Sequence, residues 1–164
     1  MRLFATSIAG LLAALSCAIA AQAQTPDAKA PGAAPAVVAI TPAEMKWRPQ
    51  GGQGALPGLD QVNLVGDPTK PGPYTIRLRF PAGFKVAPHT HPDSREVTIL
   101  SGVYQTGYGE KFDPAGLKSL PAGSFYTEPA NVPHYIEIKE AVVAQVSGMG
   151  PSGRRFVEAV DQAK

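Results

Sequence analysis

The sequence is poor in the residue types that would mark several large classes of protein. Cysteine occurs once, at Cys17, so an intrachain disulfide is excluded and the fold must be held by a hydrophobic core. No block or stripe of basic residues stands out, and the formal net charge is only +2, which argues against nucleic acid as a partner. No stretch carries a sustained helical period, which excludes alternating α/β architectures. No Ser/His/Asp set and no phosphate-binding glycine loop is visible. Histidine is scarce as well, with three in the whole chain: His89, His91 and His134.

One apolar run without charge does occur, from Leu3 to Ala21, after Arg2 and before Ala21-Gln22-Ala23. A positive start, a greasy centre and an A-x-A exit predict a secretory signal peptide over 1–23, and hence a periplasmic or secreted protein. A membrane anchor is the alternative, but Ala, Ser and Thr make the run weakly hydrophobic. Cleavage would also remove Cys17 and leave no membrane attachment. Residues 24–40 are rich in Ala and Pro and read as a disordered tether. The folded domain is expected over 41–164.

What is abundant is turn chemistry. The 17 Pro and 17 Gly punctuate short segments of period two, such as Tyr74-Thr75-Ile76-Arg77-Leu78-Arg79-Phe80. Strands are predicted at 62–65, 74–80, 83–91, 95–100, 103–108, 124–128, 134–138, 142–146 and 154–160. Helix is expected only as short turns at Thr41–Glu44 and within 113–118. About eight or nine short strands with turns between them predict an all-β sandwich or barrel.

Within that pattern His89 and His91 lie two apart on one strand, so both project to one face. His134 lies on another strand. Neutral imidazoles are good ligands for divalent transition metals, and a curled sheet could bring the third to the first two. Isolated histidines are more often core or surface residues; three at these positions, with none elsewhere, favour a metal site.

The spacing Gly83-x5-His89-x-His91 resembles the first motif of the cupin superfamily, with Gly102 near its end. Gly123-x5-Pro129-x-Asn131-x2-His134 resembles the second. Asn131 stands where that family has glycine, and asparagine is the commonest substitute at positive φ. The family's asparagine four residues after the histidine is Ile138 here. The resemblance covers roughly residues 60–150 and is nearest to small secreted single-domain cupins. It implies a cupin-type jelly-roll barrel, with His89, His91 and His134 as metal ligands and a homodimer sharing strands.

The resemblance also implies a glutamate ligand four residues after the second histidine. That position is Arg95, and the glutamate stands next to it, at Glu96. Parity puts Arg95 with Val97 and Ile99 on the inward face and Glu96 with Thr98 and Leu100 outside. A bulge could turn Glu96 inward and make it the fourth ligand. Alternatively three histidines and water complete the site, or an inward guanidinium repels the metal unless an acid neutralises it.

Among other groups, Tyr104, Tyr108, Tyr126 and Phe125 read as barrel wall or pocket lining. Asp93 and Glu128 read as solvated loop carboxylates, and Arg154-Arg155 as a charged strand edge. No catalytic residue is assigned. The sequence thus predicts a secreted cupin holding Mn, Fe, Ni, Zn or Cu and acting on a small organic substrate by oxygenase-like or Lewis-acid chemistry. A non-catalytic small-molecule-binding or sensing barrel is the alternative, favoured by Arg95.

Overall fold

The computed structural model describes residues 37–52 and 54–158. The expected signal peptide and most of the expected tether lie outside the described residues. Among the described residues no helix is long and apolar enough to cross a membrane.

The chain is all-β, as the turn spacing predicts. The strands are β1 (Arg48–Pro49), β2 (Asp60–Val65), β3 (Gly72–Phe80), β4 (Lys85–Thr90), β5 (Arg95–Ser101), β6 (Val103–Tyr108), β7 (Lys118–Pro121), β8 (Phe125–Glu128), β9 (His134–Glu137), β10 (Val142–Gly150) and β11 (Arg155–Phe156). Helix is confined to two single 3-10 turns, Pro42–Glu44 and Pro114–Gly116. At the first, the Glu44 carboxylate accepts bonds from the Thr41 amide (2.8 Å) and hydroxyl (2.7 Å), which ties the turn to its own start. At the second, Asp113 Oδ1 accepts from the Ala115 amide at 2.9 Å.

β7 has no counterpart among the predicted strands, because Pro121 and Gly123 mask its period. Its short alternation buries Leu120, and Pro121 is tolerated because β7 lies at a sheet edge.

Two antiparallel sheets result. One has six strands in the order β1-β2-β3-β10-β5-β8, the other five in the order β11-β4-β9-β6-β7. The crossed strand order is that of a jelly roll. Alternate residues of β3, Tyr74, Ile76, Leu78 and Phe80, are buried, and so are Val97 and Ile99 of β5 and Ala144 and Val146 of β10. Val86, Tyr104 and Ile136 join them in one core from the other sheet. Each buried Val, Leu, Ile or Phe side chain stabilises the fold by roughly 1.5–3 kcal/mol relative to exposure.

Gly102 makes the β5–β6 turn at φ +76, and a Cβ there would meet Ala141 O at 2.5 Å. Asn131 is the one non-glycine residue at positive φ among the described residues, at φ 60. It therefore adopts the turn conformation expected of a glycine substitute.

Candidate metal centre

The histidines come from the five-stranded sheet. His89 on β4 and His134 on β9 are register partners in adjacent strands. His91 follows the end of β4. All three are buried, at 0%, 1% and 0% exposure. The ring centroids of His89 and His134 are 4.2 Å apart, those of His89 and His91 4.9 Å, and those of His91 and His134 5.2 Å. One ligand atom from each lies within 4.8 Å of the others.

Backbone carbonyls set the tautomers. Nδ1 of His89 donates to Ala87 O (2.8 Å), that of His91 to Gly153 O (2.5 Å) and that of His134 to Val132 O (3.1 Å). A proton on each Nδ1 leaves Nε2 as the acceptor of each ring, the arrangement that orients imidazole toward a metal. Nε2 of His89 and of His134 are buried with no hydrogen-bond partner among the described residues. Two orphaned acceptors aimed at one spot are what a three-histidine metal site requires, so the residues present fit a metal.

Burial, then the charges of His134 and Arg154, hold His89 well below its ordinary range. Burial and then the Arg95 guanidinium lower His91 to about 3, against an opposing pull from Glu128. Both rings are therefore neutral near pH 7, and protons do not compete for their lone pairs.

The second sheet faces this cluster with charge. Arg95, the first residue of β5, points inward, and its Nη1 donates to His91 Nε2 at 3.1 Å. Glu96 is exposed and does not join the histidines. Its assignment as fourth ligand is corrected by the regular pairing of β5 with β8 over Arg95–Thr98, which contains no bulge to turn it. The irregularity in the pairing of β5 with β10 falls instead opposite Ile99 and Ser101.

The carboxylate that does reach the cluster is Glu128, the last residue of β8 and the register partner of Arg95. It is 4% exposed, which corrects its reading as a solvated loop residue. Its Oε1 lies 3.4 Å from His134 Nε2, and its Oε2 lies 3.7 Å from His91 Nε2 and 3.8 Å from Arg95 Nη1. Tyr126 donates to Oε1 at 2.7 Å. Burial opposes ionisation of Glu128, but interaction with His134, then with Arg95 and His91, outweighs it and holds the carboxyl well below its usual range. The signal was present in the sequence. Tyr126 and Glu128 lie two apart, so an inward Tyr126 takes Glu128 inward with it.

Asp93 is likewise buried, at 7%. Its Oδ2 accepts from the Tyr74 hydroxyl at 2.5 Å, its Oδ1 from Ser152 Oγ at 2.6 Å, and Arg95 Nε lies 3.6 Å from Oδ2. Gly148 makes room for this contact, because a Cβ there would meet the Tyr74 hydroxyl at 2.6 Å. Of the four aromatics, Tyr104 and Tyr126 pack against each other inside, with centroids 5.5 Å apart. Tyr108 and Phe125 are exposed. Arg155 is exposed as a charged edge should be, but Arg154 is buried.

The ChrR cupin-like domain model matches residues 35–151. No curated protein matches. Among solved structures, the polyketide cyclase RemF of Streptomyces resistomycificus superposes with TM-score 0.63 at 14% identity, over 77% of this chain and 89% of that one. The DMSP lyase DddQ of Ruegeria pomeroyi gives 0.55 at 18% identity, over 70% and 61%. A salicylate 1,2-dioxygenase of Pseudoaminobacter salicylatoxidans, with gentisate, gives 0.51 at 15%, over 64% of this chain but 30% of that one. At these identities the likeness is one of fold.

Proposed function

The chain belongs to the ChrR cupin-like family, and from that premise we propose that it is a metal-dependent cupin acting on a small organic molecule. His89, His91 and His134 hold a divalent transition metal, one of Mn, Fe, Ni, Zn or Cu. The observation that carries this reading is the pair of buried Nε2 atoms on His89 and His134 with no hydrogen-bond partner among the described residues, beside a third imidazole of the same tautomer. The metal would supply Lewis acidity or a place for dioxygen. Three neighbours of similar fold are named for cyclase, lyase and dioxygenase activities, so the fold is compatible with several chemistries.

The chain's own residues supply the rest. Glu128, ionised and beside two of the histidines, is the group available to accept a proton from a substrate hydroxyl or from water at Oε2. Arg95 supplies donors for an anionic oxygen. Tyr126 orients Glu128, and the Tyr104–Tyr126 pair closes one side of the interior against water.

A second reading is a non-catalytic binding barrel, favoured by the guanidinium of Arg95 where the superfamily has a carboxylate ligand. Metal analysis by mass spectrometry on the purified protein tests the first. About one equivalent of a transition metal, retained after desalting, is expected. Less than about a tenth of an equivalent after reloading with each candidate ion would sink it. Turnover that requires the metal would then separate enzyme from sensor. Export with cleavage before Gln24 and a homodimer belong to the same proposal. Amino-terminal sequencing and light scattering read them.

A further inference from the structure

Arg154 is a buried charge with no ion-pair partner among the described residues. It is 8% exposed. Its Nη1 donates to Gln50 Oε1 at 3.2 Å and to Gly54 O at 2.5 Å, both uncharged acceptors. Its Nε is buried without a partner among the described residues. No described carboxylate forms an ion pair with it. A guanidinium removed from water is costly unless an anion accompanies it.

The surroundings sharpen the point. Phe156 of β11 is the register partner of His89 and packs against its ring. Arg154, two residues earlier, follows the Gly153 carbonyl that holds His91. Arg154 and Arg95 line one cleft, together with Gln50, Ser152 and Gly153, of about 50 Å³. Arg95 Nε is also buried without a hydrogen bond. Two guanidinium groups therefore border one small cleft. The two buried acids near them, Asp93 and Glu128, form ion pairs with Arg95 and none with Arg154. The cleft has room for a few water-sized groups, enough for a carboxylate.

We infer that Arg154, in the cleft it shares with Arg95, is the binding site for the carboxylate of a small organic acid, whose remaining atoms extend toward the histidines. The inference deepens the metal-dependent reading by naming the substrate class, and rests on it for the orientation of that molecule. A guanidinium grips a carboxylate through two parallel N–H donors, which a lysine cannot reproduce.

Calorimetry with benzoate, oxalate and their neutral amides, benzamide and oxamide, tests this on metal-loaded and chelator-treated protein. The carboxylates are expected to bind and the amides to bind at least tenfold more weakly. Arg154→Gln should lose at least tenfold in carboxylate affinity, with Arg154→Lys in between and metal content unchanged in both. Carboxylate affinity within twofold of wild type in a folded Arg154→Gln protein overturns the inference. If that variant fails to fold, wild type decides alone, since equal affinity for benzoate and benzamide also overturns it. Carboxylate binding that survives in protein unable to take up metal, and depends on Arg154, upholds the anion site while the metal reading fails.

Discussion

Replacing His134 with alanine is expected to lower the affinity for a divalent transition metal by roughly a thousandfold or more. Loss of a group that merely orients a ligand typically costs 10–100-fold, and loss of a ligand costs more. His134 is the informative choice because β9, which carries it, lies between β4 and β6 in the five-stranded sheet. Its ring is the third point of the cluster and faces His89 directly across the strand pair. The substitution also leaves a small void, which is why the fold needs its own control. Free imidazole added to His134→Ala should restore part of the metal affinity, because the ring fits the space that the side chain left. A purely structural histidine would give no such recovery. Competition against a chromophoric chelator measures the effect. An affinity within tenfold of wild type would remove His134 from the ligand set.

Thermal stability gives an independent reading of the same claim. A ligand that binds only the folded state stabilises it by about 4 kcal/mol at a thousand times its dissociation constant. Wild type should therefore melt well above its chelator-treated form, and His134→Ala should melt alike in both.

The second large effect is expected at Glu128, and it acts on folding even without metal. Glu128→Gln keeps the shape of the side chain and removes its charge, leaving Arg95 with Asp93 alone. Breaking a buried ion pair by neutralising one partner typically costs 3–5 kcal/mol. Here the pair is separated by 3.8 Å and Asp93 remains at 3.6 Å, so about 2–4 kcal/mol is expected by the same reasoning. Urea unfolding measures it. Adding Arg95→Met to Glu128→Gln should recover most of the loss, because the orphaned cation goes with it. That recovery is the coupling a double-mutant cycle reports. A Glu128→Gln protein within about 0.5 kcal/mol of wild type, the usual size of a neutral surface change, would show that Glu128 does not compensate Arg95.

The pH dependence has a definite sign. Glu128 is depressed in the folded state, so its stabilisation is present above the unfolded carboxylate range near about pH 4.3. It is lost as pH falls through that range toward the lower folded value. Wild type should lose stability on acidification more steeply than Glu128→Gln.

Arg95 and Glu128 also show why half of this centre is legible in the sequence. Parity along one strand is local, so the inward sense of Arg95 and the outward sense of Glu96 follow from Val97 and Ile99 alone. The acid that must balance an inward guanidinium does not have to come from the same strand. It comes from the neighbouring one, and the β5–β8 register that pairs Arg95 with Glu128 depends on long-range hydrogen bonding. Asp93 reads as a loop carboxylate because nothing near it in sequence announces Tyr74, 19 residues away, or Ser152, 59 residues away.

The same division holds across the molecule. The sequence by itself determined the all-β class, the short strands and their turns, and the shared face of His89 and His91, since each depends on alternation and on the φ preferences of Gly, Pro and Asn. It also determined the three candidate ligands, through the spacing that resembles the cupin motifs. Only the tertiary structure decided that Glu128 rather than Glu96 faces them, that carbonyls of Ala87, Val132 and Gly153 select their tautomers, and that Arg154 is buried beside Arg95 with no ion-pair partner among the described residues. Those outcomes depend on which strands lie side by side and which sheet faces which, and such contacts leave no period in a single chain.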